Sequence, residues 1–350
     1  MLTLDVDLSQ DGIDDPMYIS ESKMTIFIIV VDIFVLGVFS VIGIVSNIIN
    51  MIIFVKQVLK DSMTVGLFAL SFTDFAIATI ELTISCTHLV SVICPWSSVD
   101  FWALNNITLT WTICIFYLTS CWITVIISLE RCFCVVCPFS VKRIFTRGRC
   151  VVAITVVYIV HISAVLPVYL LEKMEWLPLD FPGNNGSITS VQQQWIYSIA
   201  FSDSTQELDT IMDITAGLFL FITPQLFILV CSLWMSIALK SSSTIRSQKN
   251  GDDIKLKQSS KNSNLTLQEK RLIKMVLFID VLQLASNVPR LIVIIYYHIV
   301  FPGLDMSIVK NFSTVLFTCS VAINNISSFS NSLGYYFFNS VYRNMFRNLF

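Results

Sequence analysis

A chain of 350 residues, 55% apolar and only 13% charged, departs from the roughly 45–50% apolar and 25% charged make-up of soluble domains. Its mean hydropathy of +0.75 marks a polytopic membrane protein. The net charge of −2 is too small for a polyanion-binding surface and excludes nucleic acid as the partner.

The chain begins with an acidic stretch (Asp5, Asp7, Asp11, Asp14, Asp15) that lacks the basic start of a signal peptide. Residues 1–24 therefore read as an extracellular terminus, and the first span as its own targeting signal. About 20 apolar residues cross a bilayer, and seven segments qualify: 25–55, 64–93, 103–136, 150–171, 209–239, 271–299 and 309–338. Together they predict an all-α membrane protein, a seven-transmembrane helix bundle forming one domain over 25–338. With the amino terminus outside, only Lys23, Lys173, Arg290 and Lys310 fall away from the cytoplasmic loops and ends. The remaining lysines and arginines then lie inside, as the positive-inside rule requires. A plasma-membrane location with a cytoplasmic carboxyl terminus follows.

Asn185-Gly-Ser187, in the longest external loop, is a glycosylation sequon on the correct side; Asn264-Leu-Thr266 is on the wrong one. The longest cytoplasmic loop, 240–270, is polar, basic and serine-rich, the composition of a disordered segment. In residues 339–350, Val341, Tyr342, Met345, Phe346 and Leu349 recur at helical spacing, which predicts a short amphipathic helix lying on membrane lipid. The cysteines sit mostly within spans and form neither a disulfide framework nor a metal-ligand spacing; Cys134-Val-Val-Cys137 has no matching pair. His88, His161 and His298 lie far apart and no nucleophile–base constellation appears, which argues against an enzyme.

Short motifs follow one another along the spans. The first span carries Gly43-Ile-Val-Ser-Asn47 and the second Leu70-Ser-Phe-Thr-Asp74. The third ends in Glu130-Arg131-Cys132, the fifth and sixth contain Pro224 and Pro289, and the seventh holds Asn331-Ser-Leu-Gly-Tyr335. In this order and spacing the chain resembles the rhodopsin-like (class A) family of G-protein-coupled receptors over nearly its whole length. The stretch from Glu130 to Thr146 looks most like divergent invertebrate chemosensory and neuropeptide receptors.

The resemblance implies a receptor that transmits binding of an extracellular ligand to a heterotrimeric G protein, with receptor kinases and arrestin as further partners. The loop serines at 241–263 are the candidate kinase targets. It also implies a sodium ion, the one non-protein group expected, held at Asp74 with Asn47, Ser120, Ser328 and Asn331; a plain polar knot between helices is the alternative. Glu130 and Arg131 form the coupling switch, and Glu269 stands where the family often has the acid that pairs with this arginine. The alternative for Glu269 is a solvated charged turn with Lys270 and Arg271. Tyr335 is expected to turn inward on activation and Pro289 to act as a hinge.

Glu81, Tyr117, Asp213, Asn287 and Arg290 are the candidate ligand-pocket residues. Arg290 meets a ligand carboxylate or pairs internally with Glu81 or Asp213. The family's amine-binding aspartate would fall at Tyr117 or close by, where there is no acid, which favours a peptide or chemosensory ligand over an amine. His161 and Asp280 are expected to be structural. The pattern also breaks: Asn106 stands at the usual third-span cysteine, residues 172–208 contain no cysteine, Asn287 replaces the switch tryptophan, Tyr158 is the nearest aromatic to the fourth-span tryptophan, and Ser332 replaces a proline. A seven-helix transporter or ion pathway, and a scaffold that no longer signals, are the competing readings.

Overall fold

The computed structural model describes residues 21–181, 192–200, 211–212, 215, 220–249, 266–295 and 306–349. Asn185, Asp213, most of the amino-terminal stretch and residues 250–265 lie outside them. The first span, α1, runs through Glu21–Phe27, a π-helical stretch Ile28–Leu36 and Gly37–Lys56. The second, α2, is Ser62–Ile93, and α3 runs through Phe101–Asn105, a π turn Asn106–Thr110 and Trp111–Val136. A short helical piece, Pro138–Ile144, leads into α4, Arg147–Leu171. Then come α5 (Ile222–Lys249), α6 (Leu267–Ile295), α7 (Met306–Phe338) and the short α8 (Ser340–Arg347). Six helices among the described residues are long and apolar enough to cross a membrane. The seventh, α7, turns a polar face inward, with Asn324, Asn325, Ser327, Ser328 and Asn331 buried.

The side-chain pattern is that of a bundle dissolved in lipid. Along α1, Val30, Phe34, Val38, Val41 and Val45 are exposed, while Ser40, Gly43, Asn47 and Asn50 are buried. Hydrocarbon solvates the apolar face as well as a protein core would, so association rests on close packing and interhelical hydrogen bonds between small and polar residues. Gly43 permits the approach to α2, where an added Cβ would sit 3.2 Å from Ala78. Gly66 does the same for α3, its virtual Cβ lying 2.9 Å from Ile127 Cγ1.

Helix boundaries follow ordinary capping chemistry. Asp61 caps α2 by accepting from the Thr64 amide at 2.8 Å, and Asp100 caps α3 by accepting from Ala103 at 3.0 Å. The start of α6 is a reciprocal capping box: the Glu269 amide donates to Thr266 Oγ1 at 3.2 Å, and the Thr266 amide donates to Glu269 Oε2 at 2.7 Å. Asn339 caps α8, whose Tyr342 is buried and donates to Asn50 Oδ1 at 2.6 Å. Burial pushes the Tyr342 phenol above its ordinary pKa. The expected surface helix is therefore pinned to α1 by a phenol–amide hydrogen bond.

One element has no counterpart in the sequence reading: between α4 and α5, Met174–Phe181 (β1) and Gln192–Ile199 (β2) pair antiparallel. The largest apolar core gathers at the end of the bundle that carries Arg131, where Phe54, Leu70, Ile127, Met235, Val276 and Tyr335 pack together.

Gly66→Ala is expected to lower the unfolding midpoint of the detergent-solubilised protein, because overpacking at a fixed helix contact costs about 1–3 kcal/mol. Gly148→Ala, whose Cβ meets nothing within 4 Å, is the neutral control. Equal midpoints for both variants would contradict the close α2–α3 approach.

Candidate functional site

Three groups of buried polar side chains line the bundle from end to end. At the hairpin end lies a cavity of about 540 Å³, walled by α1, α2, α3, α7 and β2. This is within the range of small-molecule sites. Glu81 faces it from α2 and accepts from the Tyr117 hydroxyl at 3.2 Å. Asp32 and His88, also on its wall, are in direct contact through Oδ2 and Nδ1. The π-helical stretch of α1 carries Asp32, and such widened turns concentrate at functional sites. Sequence reading passed over Asp32 and counted His88 only among scattered histidines. The available signal was a carboxylate inside an apolar span, a costly placement that usually marks function.

Arg290, on α6, does not line this cavity but lies against Phe317, which does. Its guanidinium carbon lies 5.0 Å from the Phe221 ring centroid and 5.6 Å from those of Tyr117 and Phe317. No described carboxylate lies within 4 Å of it, so the internal pair with Glu81 is not made. Three aromatic faces stabilise the cation instead. Asn287 is buried one turn away, donating to the Gln283 carbonyl at 2.8 Å and pointing Nδ2 at Cys121 Sγ, 3.9 Å off. It packs in the core below the cavity rather than on its wall.

None of the ten cysteines forms a disulfide. The hairpin is tied to the start of α3 by hydrogen bonds. The Tyr197 amide donates to the Ser98 carbonyl at 2.7 Å, and the Asp100 amide donates to the Tyr197 carbonyl at 3.0 Å. Ser198 Oγ donates to Asp100 Oδ2 at 2.9 Å. Asp100 thus holds both the α3 cap and the hairpin.

Midway along the bundle, Asp74 accepts from Ser120 Oγ at 3.3 Å and from Asn331 Nδ2 at 3.1 Å. Asn47 Nδ2 donates to Ser328 Oγ at 3.2 Å. The five residues named from sequence are brought together from α1, α2, α3 and α7. Four of them, Asp74, Ser120, Ser328 and Asn331, line a cavity of about 10 Å³, near the lower limit for one water or one small ion. Asn331 Oδ1 is buried there with no partner among the described residues. A carboxylate, hydroxyls and an open amide oxygen form the hard-oxygen donor set that suits a cation such as sodium.

At the far end Arg131 donates through Nη2 to Glu130 Oε1 at 2.6 Å, and its Nε is buried with no partner among the described residues. Here the sequence expectation needs correction. Glu269 does not pair with Arg131, because its carboxylate is taken by the capping box with Thr266 and is exposed. A carboxylate three residues into a helix is held by free backbone amides, and the neighbouring acid is nearer to the arginine. Tyr335 is fully buried, its ring edge-on to Phe54 with centroids 5.2 Å apart and 5.7 Å from Tyr342. Pro289 lies within α6 as expected. His161 bonds Thr119 at 3.1 Å, a link between α4 and α3, and Tyr158 bonds Thr73 at 2.7 Å.

The sequence model of one family, described as 7 transmembrane receptor (rhodopsin family), matches residues 46–331. No curated protein matches the chain.

Because no disulfide holds the hairpin, dithiothreitol is expected to leave the unfolding midpoint unchanged, whereas Asp100→Ala, which removes a cap worth about 1 kcal/mol and the Ser198 bond, lowers it. A fall of several degrees on reduction would reveal a covalent tie.

Proposed function

Because the chain belongs to the rhodopsin family of seven-transmembrane receptors, we propose that it is a plasma-membrane receptor coupling an extracellular ligand to a heterotrimeric G protein. The amino terminus is placed outside, so the hairpin-end cavity opens to the exterior and the Arg131 end faces the cytoplasm. The observation that carries coupling is the state of Arg131: its charge is held by the adjacent Glu130, while one donor is buried and unused. A guanidinium held by one neighbour needs little reorganisation to turn toward an incoming partner, and differential contacts in two states are what a switch requires.

The ligand is a peptide or chemosensory cue rather than an amine. No acid stands at Tyr117 or close by, where the family's amine-binding aspartate would fall, and the Tyr117 hydroxyl is committed to Glu81. Arg290, surrounded by rings rather than described carboxylates, offers its charge to an acidic group of the ligand. The polar pocket around Asp74 would take a sodium ion that favours the resting state. Loop 240–270 supplies the serines for receptor kinases, and arrestin would bind the phosphorylated form.

Two measurements test this reading. Ligand-independent nucleotide exchange across a panel of G-protein α subunits is expected to be lost in Arg131→Ala. It should rise about ten-fold in Glu130→Gln, which removes a charge-assisted hydrogen bond of about 1.5–3 kcal/mol. Silence of every variant at normal surface expression would overturn coupling. Replacing potassium chloride by sodium chloride should raise the unfolding midpoint of the wild type but not of Asp74→Asn; identical midpoints in both salts would remove the ion.

A further inference from the structure

Asp280, on α6, is fully buried and, unlike Asp32, Asp74 and Glu81, lines neither cavity. Its Oδ1 lies 2.5 Å from Ser128 Oγ on α3, and its Oδ2 accepts from Ser232 Oγ on α5 at 2.6 Å. One side chain therefore fastens α6 to two neighbours. It stands about 13 Å along the helix from Pro289, on the side toward Glu269. Any swing of this half of α6 about the proline must break both contacts. The sequence reading assigned Asp280 a merely structural role, and a lone carboxylate in a span carried no hint of two serines from different helices.

The hydrogen count is informative. Ser128 Oγ also lies 2.8 Å from the Thr124 carbonyl, yet a hydroxyl has a single hydrogen. An ionised Asp280 would leave one of these contacts unmade. A protonated carboxyl donating to Ser128 lets Ser128 donate onward to Thr124 while Ser232 donates to the other oxygen. Every polar atom of the set is then satisfied, and no charge is buried in hydrocarbon.

We propose that the Asp280–Ser128–Ser232 triad is the latch that holds α6 closed in the resting receptor, in the place left open by the unmade Arg131–Glu269 pair. The proposal rests on the receptor reading above for its meaning, but its geometry can be tested without a G protein. An asparagine at 280 has the same shape, with an NH2 that donates to Ser128 and an oxygen that accepts from Ser232, so it preserves the triad. An alanine removes the triad, and both serines can turn back to carbonyls of their own helices, which leaves no buried group stranded.

The test is amide hydrogen exchange of the purified protein in lipid nanodiscs, alongside nucleotide exchange on the α-subunit panel. Asp280→Ala should speed exchange in the Glu269-side half of α6 about ten-fold, the value of two interhelical hydrogen bonds, while α1 and α4 stay at wild-type rates. Ligand-independent nucleotide exchange should rise in parallel. Asp280→Asn should track the wild type in both. Uniform loosening of all helices in Asp280→Ala would reduce the triad to general core glue and overturn the latch. So would an asparagine variant that behaves like alanine, or an α6 that exchanges at the wild-type rate in Asp280→Ala. Selective loosening of α6 with no responding α subunit would keep the latch and defeat the coupling reading instead.

Discussion

A polar group inside hydrocarbon has no water to fall back on, so each one must find its partner within the protein. This constraint sorts the chain: exposed faces of α1, α4 and α5 are valines, leucines and isoleucines, and serines, asparagines and carboxylates turn inward. The inward groups then choose their neighbours by geometry. Asp74 draws α3 and α7 to α2, Asn50 draws α8 to α1, and Asp280 draws α3 and α5 to α6. The interior is less an apolar core than a column of hydrogen-bonded nodes, with a continuous apolar cluster only near the Arg131 end.

The same logic explains how the outer end holds its shape without a covalent tie. A strand edge leaves unpaired amides and carbonyls, and β2 spends two of them on the loop before α3. Asp100 adds its side chain to both structures at once. The cavity below has the carboxylates Asp32 and Glu81 on its wall, and the ring-caged cation of Arg290 lies against Phe317, another lining residue. That separation of charge by low-dielectric walls strengthens the field any ligand would meet there.

The seven spans were legible because twenty apolar residues have few other uses, and the motifs because each places a rare polar residue at a fixed depth. The Asp74 group could be named as a set, since α1, α2 and α3 each carry one conspicuous polar residue and α7 carries two. Glu269 was misread: its position in the chain suggested an arginine partner, but Thr266 three residues earlier offered backbone amides at no cost in distance. That capping spacing was in plain view and was outweighed by the resemblance. The β1–β2 hairpin was missed because its segments are short, polar and aromatic by turns, and their pairing is settled by the loop they dock on. Asp32, His88 and Asp280 each looked solitary in sequence.

Hydropathy, charge placement and motif order by themselves determined that this is a seven-helix membrane bundle of the rhodopsin family, because these depend on the solvent each residue meets along one chain. Which buried groups meet was decided only by the tertiary structure. Ser128 and Asp280 are 152 residues apart, and Asn50 and Tyr342 are 292 apart. No local pattern encodes such pairings; they arise when helices rotate to bring buried polar groups of different spans together.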